Sequence, residues 1–253
     1  MGKETIIQVE NLVAQYGEDV ILDHVSFEVF TGEIFVVLGG SGCGKSTLLR
    51  HMIGLETPSS GNVTIDKVNI TTCGDHARYD VLRKIGVLFQ SSALIGSMTL
   101  AENIALPILE YTSLSKSAIE KIVRLKLTMV DLNGYENYLP SELSVGMKKR
   151  AGLARALALN PKILFLDEPT AGLDPITSAE IDELVMHINK SIDATMVIVT
   201  HELDSIFMIA QRVIMLDKQT KGIIAQGNPE DLKENSLNPL VRQFFNRWSK
   251  PIE

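Results

Sequence analysis

Residues 39–46 read GGSGCGKS and stand between the apolar run IFVVL (34–38) and a stretch with helical spacing. The pattern G-x-x-x-x-G-K-[ST] between a strand and a helix is that of a phosphate-binding loop. Its glycines let successive backbone N–H groups turn inward as an anion nest, and the start of the helix adds a positive dipole. Lys45 is expected to reach the β- and γ-phosphates of a nucleotide, and Ser46 to ligate Mg²⁺. The candidate binding set is Gly39, Gly40, Ser41, Gly42, Cys43, Gly44, Lys45, Ser46 and Thr47. For Cys43 two readings stand side by side: a thiolate favoured by the nest and by Lys45, or a thiol packed beneath the loop.

Working outward, further Val/Ile/Leu/Phe-rich runs alternate with amphipathic segments, the pattern of a parallel sheet with crossover helices. Buried strands are predicted at 34–38, 85–89, 163–166 and 195–200, with another near 213–216. Half-polar segments at 6–13, 20–30 and 62–70 read as antiparallel strands. From about Ser91 to Leu159 the pattern turns helical, which marks an inserted helical subdomain.

The residues just beyond the four central strands are Gly39, Gln90, Asp167 and His201. Ligands of open parallel sheets lie beyond the carboxyl ends of the strands, so one crevice can collect all four. Asp167 can meet Mg²⁺, and Glu168 beside it can polarise a water for attack on a γ-phosphate. Taken alone, two acids after a strand are equally a solvated turn. His201 reads as a hydrogen-bond partner of the γ-phosphate or of the attacking water, or as a structural histidine. Gln90 offers an amide oxygen to Mg²⁺ or to that water. Tyr16 reads either as a platform for adenine or as core packing.

Farther along, SELSVGMKKR (141–150) precedes an alanine-rich helical stretch. Ser144 is a good N-cap, and an N-cap serine with free N–H groups behind it can bind phosphate as well as cap its helix. Lys148, Lys149 and Arg150 read as a solvated helix face. At the C-terminus Val241, Phe244, Phe245 and Trp248 fall at i, i+3, i+4, i+7, an apolar stripe that must dock on its own domain or on a second copy.

The bulk numbers narrow the class. With 45% hydrophobic and 22% charged residues and no repeat, the 253-residue chain can build a large core and is not disordered. A net charge of -7 argues against general nucleic-acid binding, which needs a basic field. No apolar run approaches the ~20 residues that span a bilayer. The start MGKETIIQVEN has neither a secretory pattern nor the Ser or Thr that myristoylation needs at position 6. Only Cys43 and Cys73 are present, so no disulfide framework is implied and a reducing cytosol is expected.

The phosphate loop, Gln90, LSVGM (143–147), ILFLDE (163–168), the turn Ala171–Asp174 and His201 follow one another in an order that resembles the nucleotide-binding subunit of ABC transporters over almost the whole chain. The resemblance implies an α/β P-loop NTPase: a RecA-like parallel-sheet core, an antiparallel β subdomain and an inserted helical subdomain. One domain would span 1–253, with 1–90 and 160–225 as core and β subdomain, 91–159 as helical signature subdomain and 226–253 as a helical tail. It implies ATP and Mg²⁺ as cofactors, with Ser46, Gln90 and Asp167 at the metal and Glu168, His201 and Gln90 in catalysis. It also implies a head-to-tail homodimer, in which Ser144 and Gly146 touch the partner's γ-phosphate and Asp174 runs along the seam.

A narrower likeness, in LFQSSALIGSMTLAENIALPILE (88–110), LPSELSVGM (139–147) and DPIT (174–177), is to the ATPases of Mla-type phospholipid transporters. That group works with an integral permease and an MCE-domain lipid-binding protein at the cytoplasmic face of the inner membrane. The alternatives are an amino-acid importer ATPase, a soluble non-transport ABC ATPase, or a regulatory module that hydrolyses little. The segment from Lys45 to Leu143 is too short for the coiled coils of DNA-repair relatives, and the chain has one cassette where ribosome-acting relatives usually have two. Val145 departs from the family pattern, where glycine is usual. A β-branched residue resists the left-handed region by ~1–3 kcal/mol, so negative φ is predicted at 145.

Overall fold

The structure, a computed structural model, describes residues 4–247. By its contacts the chain divides into two compact units: Met1–Leu82 with Thr195–Glu253, and Arg83–Ala194.

The first unit opens with a hairpin of β1 (Thr5–Tyr16) and β2 (Asp19–Phe30). Next come β3 (Ile34–Gly39), buried at every position, and α1 (Lys45–Met52). The segment expected as one strand at 62–70 is instead a second hairpin, β4 (Ser60–Ile65) and β5 (Val68–Asn69). Asp66 and Lys67, with φ 47° and 70°, form its two-residue turn, whose twist matches that of the strands it joins. The antiparallel sheet runs β2-β1-β4-β5, and α2 (Asp75–Leu82) closes this stretch.

The second unit holds β6 (Ile85–Leu88), α3 (Leu100–Tyr111), α4 (Lys116–Met129), a 3₁₀ turn at Pro140–Glu142, α5 (Val145–Ala156), β7 (Ile163–Asp167) and α6 (Pro175–Ile192). The helices start where the sequence supplies caps. Thr99 and Glu102 form a reciprocal capping box on α3, and Ser115 caps α4. Fully buried Asn103 secures the loop before α3: its amide donates to the carbonyls of Ile95, Met98 and Thr99, and its oxygen accepts from the Ile95 N–H. β6 and β7 pair in parallel with Leu88 opposite Leu166. α5 can approach β6 because Gly86 has no side chain; a Cβ there would stand 2.3 Å from the Ala156 carbonyl oxygen.

The chain returns to the first unit with β8 (Thr195–Val199), α7 (Leu203–Ile209), β9 (Arg212–Asp217), β10 (Gly222–Gly227), α8 (Pro229–Asn235) and α9 (Pro239–Asn246). β3 lies between β8 and β9, parallel to both, and β10 adds antiparallel to β9. Glu33, at the entry to β3, is buried and paired with Arg212 at 2.6 Å. Of the C-terminal apolar stripe, Val241 and Phe245 are buried within this unit, with Phe245 5.7 Å from Phe207 of α7. Trp248 lies outside the described residues.

Candidate functional site

In the first unit, parallel register decides what shares an edge. Val37 of β3 pairs with Val199 of β8, and the Thr200 N–H donates to the Val37 carbonyl, so the two strands run out side by side. Gly39 then leads into the phosphate loop and His201 follows β8 on the same edge. His201 is exposed, its Nε2 3.6 Å from Glu202 Oε1.

The loop between Gly39 and Lys45 uses conformations that side chains resist. Gly39, Gly42 and Gly44 have φ 148°, 73° and 101°, and a Cβ on Gly39 would meet the Leu216 carbonyl oxygen at 2.4 Å. Gly40 and Gly42 face open space. Gly44 is the N-cap of α1, which receives no side-chain cap and has no acid in its first turn. The helix start therefore keeps its positive end for an anion. Lys45 Nζ arches over the loop, donating to the carbonyls of Gly39 at 2.9 Å and Gly40 at 3.1 Å. Ser41 and Ser46 are exposed and Thr47 is half-buried. This nest, helix start and ammonium form a cradle of the right chemistry for nucleotide phosphates.

Cys43 corrects the reactive-thiolate reading. Its side chain is buried, and burial raises the thiol pKa above 9.0 despite the opposing charge of Lys45. The nest attracts anions only where its N–H groups face, and the thiol sits under the loop instead. Tyr16, 47% exposed, stands at the end of β1, and its hydroxyl hydrogen-bonds Glu56 beyond α1. That bond, then burial, raises its pKa.

In the second unit the same logic applies to β6 and β7. With Leu88 opposite Leu166, Gln90 and Glu168 each lie two residues beyond a paired position. Asp167 and Glu168 are buried, and Glu168 has φ 48°, a left-handed conformation costly for a side-chain-bearing residue. Strain of this kind at a strand end marks a place where the fold dictates a side-chain direction. Its carbonyl accepts from the Ala171 N–H at 3.2 Å, beginning the turn that delivers Asp174. Asp174 caps α6, its Oδ1 accepting from the N–H groups of Ile176 and Thr177 and its Oδ2 from the Thr177 hydroxyl at 2.6 Å. These bonds, the Thr177 hydroxyl foremost, hold its pKa below the usual carboxylate range.

Ser144 caps α5, its hydroxyl accepting from the Met147 N–H at 3.2 Å. Val145 is the first residue of that helix and is not among the positive-φ residues, as expected from its branching. Its side chain is 52% exposed beside Ser144. Gly146 permits close packing on α6; a Cβ there would be 2.7 Å from the Thr177 methyl.

The solvated face predicted at 148–150 is corrected in two of its three members. Lys149 is only 3% exposed and donates at 2.7 Å to the carbonyls of both Gln90 and Glu168. Arg150 ties the Val130 carbonyl, Asp131 and Glu180 together. Arg155, which no motif singles out, donates to the carbonyls of Ser92 and Ala93. A signal was present: Lys149 shares a helix face with Gly146, Gly152 and Leu153, where a solvated cation does not belong.

Among the described residues no group of three or more His, Cys, Asp or Glu is placed to hold a metal. Mg²⁺ commonly needs only one or two protein oxygens together with substrate phosphates. The Ser46 hydroxyl, the Asp167 carboxylate and the Gln90 amide are hard oxygen donors of that kind.

Comparison with known proteins agrees with this chemistry. The ABC transporter family matches residues 22–171. A probable ribonucleotide transport ATP-binding protein, mkl of Mycobacterium leprae, is 42% identical over 95% of this chain and 68% of its own length. The intermembrane phospholipid transport system ATP-binding protein MlaF of Haemophilus influenzae is 37% identical, over 96% of this chain and 90% of its own. The methionine import protein MetN of Francisella tularensis subsp. holarctica is 39% identical over 94% and 69%. The ATP-binding cassette MJ0796, solved as a dimer in a post-hydrolysis state bound to ADP and Pi, superposes with a TM-score of 0.80 at 31% identity, covering 88% of this chain and 98% of that one. With a phosphate cradle in one unit, a buried acid pair at a strand end in the other, and a family match across 22–171, the chain belongs to the ABC transporter family as its ATP-hydrolysing cassette.

Proposed function

We propose that this cassette powers phospholipid transport, acting as a head-to-tail pair of copies seated on an integral membrane permease, with an MCE-domain protein as the lipid-binding partner. The observation that carries the reading is the similarity to MlaF, 37% identical over 96% of this chain, together with the likeness of 88–110, 139–147 and 174–177 to Mla-type ATPases. Among the described residues no helix is long and apolar enough to cross a membrane, so attachment at the cytoplasmic face would come through the permease.

In the proposed mechanism the phosphate loop and the α1 start bind and orient the ATP phosphates, with Lys45 swinging from its two carbonyls to the β- and γ-phosphates. Tyr16 would stack on adenine. Mg²⁺, held by Ser46, Asp167 and Gln90, would supply charge neutralisation at the phosphates. Glu168 accepts a proton from the attacking water, and His201 and Gln90 orient that water and the γ-phosphate. Ser144 and Gly146 of each copy face the other copy's nucleotide, with Asp174 along the seam. The rate gain comes from positioning and fixed charge.

Glu168→Gln keeps the shape of the base and removes its basicity. It should leave ATP binding intact, lower turnover by ~10²–10⁴-fold and accumulate the ATP-bound dimer. Undiminished turnover would remove Glu168 as the base. The lipid reading is tested on the complex with its copurifying permease: phospholipid vesicles should stimulate hydrolysis, and stimulation by methionine or ribonucleotides instead would overturn it.

A further inference from the structure

We infer that Lys149 is a positioning residue for hydrolysis: its ammonium fastens the backbone at Gln90 to the backbone at Glu168, so that the two groups that handle the attacking water move as one piece with α5. The inference rests on the proposed role of Glu168 as base, and it gives to the helix that starts at Ser144 a task within its own copy.

The geometry is local to one unit. Parallel pairing of β6 and β7 runs to Leu88 and Leu166 and brings the chain out at Gln90 and at Glu168. Lys149 Nζ donates to both at 2.7 Å from a position that is 3% exposed. Such charge-assisted bonds are roughly twice as strong as neutral ones, and burial protects them from competition by water. The Glu168 bond has a particular consequence. Residue 168 is held at φ 48°, and its carbonyl orientation is fixed jointly by Lys149 and the Ala171 N–H. Removing the lysine takes away one of these two holds on that peptide, and a shift there re-aims the carboxylate.

Two more residues on the same side of α5 make the grip on the Gln90 segment specific. Arg155 donates at 2.9 Å to the Ser92 carbonyl and at 2.7 Å to that of Ala93, two successive residues in the left-handed region with φ 62° and 48°. Gly152, between the two cations, lets the segment lie against the helix; a Cβ there would be 2.7 Å from the Leu88 side chain and 3.3 Å from the Ser92 carbonyl oxygen. Thus 149, 152 and 155 clasp residues 90–93, and Lys149 alone reaches across to 168. Burial lowers its pKa, while the nearby carboxylates of Glu168 and Asp167 act in the opposite sense.

The test uses the full chain and reads both kinetics and local exchange. Lys149→Met should lower kcat for ATP roughly 10- to 100-fold, the scale of a misplacement near 1 Å, with KM changed less than about threefold. Amide hydrogen exchange should quicken at 90–93 and 168–171 and not at the phosphate loop. Lys149→Arg, which keeps donors and charge, should recover kcat to within about threefold and restore protection. Lys149→Gln, which cannot reach both carbonyls, gives the same reading as Met should that variant fail to fold. A Met or Gln variant with wild-type kcat and exchange overturns the inference, as does an equal loss in Met and Arg. Glu168→Gln is run alongside. Full turnover there overturns the base assignment itself, whereas loss there with an unimpaired Lys149→Met overturns only the positioning role.

Discussion

Replacing Arg212 by Met should destabilise the first unit far more than a surface charge would. Glu33 is 2% exposed, and its Oε1 accepts from Arg212 Nη2 at 2.6 Å and from the Phe30 N–H at 2.6 Å, while Oε2 accepts from Arg212 Nε at 3.3 Å. Arg212 also donates to the Glu28 carbonyl at 2.6 Å, and its guanidinium carbon lies 4.5 and 4.8 Å from the ring centroids of Phe30 and Phe35. Methionine keeps the apolar stem and removes the donors, so the carboxylate is stranded without its cation. Breaking a buried pair in this way costs about 3–5 kcal/mol. Because the Arg212 side chain is 19% exposed, water can reach its former place and the lower end, about 3 kcal/mol, is expected. At roughly 2–4 °C per kcal/mol for a chain of this size, Tm should fall by about 6–12 °C. Thermal and urea unfolding measure it, the latter with an unchanged m-value. Adding Glu33→Gln to Arg212→Met removes the stranded charge and should return more than half of the loss. A drop below about 1 kcal/mol, or a double variant no better than the single one, would refute the reasoning.

Two further predictions follow from single residues. Cys43 should resist alkylation in the native protein at neutral pH, and the rate should track global unfolding rather than ATP occupancy. Since burial holds the folded thiol above 9.0, its contribution to stability is complete below pH 9.0 and is lost as pH rises through the folded value; Cys43→Ala should lessen that alkaline loss, measured by urea titration from pH 7 to 10.5. Val145→Gly should cost only a few tenths of a kcal/mol, because Val145 already has helical φ, and should leave ATPase turnover within about threefold. A gain beyond about tenfold would show that the exposed isopropyl group obstructs the phosphate contact proposed for the neighbouring Ser144.

What the sequence made legible was whatever depends on spacing. The phosphate loop, the strand-end residues and the cap at Ser144 each combine a residue type with a fixed offset from an apolar run, and those offsets are enforced by strand register and helix pitch. The hairpin at 60–69 was read as one strand because its turn residues, Asp66 and Lys67, carry no glycine to announce left-handed φ. β10 escaped because Gly222–Gly227 is half-buried along its length and shows no clean alternation. The fate of Cys43 was not legible either: whether a thiol faces into a nest or under it depends on the side a tight loop turns, which no spacing encodes.

Lys149 is the instructive miss, because two rules applied to it and gave different answers. Composition put it in a basic triplet, and a basic triplet on a helix usually faces solvent. Periodicity put it on one face with Gly146, Gly152 and Leu153, all of them buried. When the two conflict, periodicity constrains more, since a helix cannot rotate one residue out of its face without taking the others along. A lysine forced into that face must find acceptors or lose its proton. The acceptors at hand on an α/β scaffold are the carbonyls just beyond the carboxyl ends of parallel strands, which is also where such scaffolds bind their ligands. A cation on the small-residue face of a helix packed beside strand ends therefore points to the strand-end backbone that it binds, and here that backbone is at residues 90 and 168.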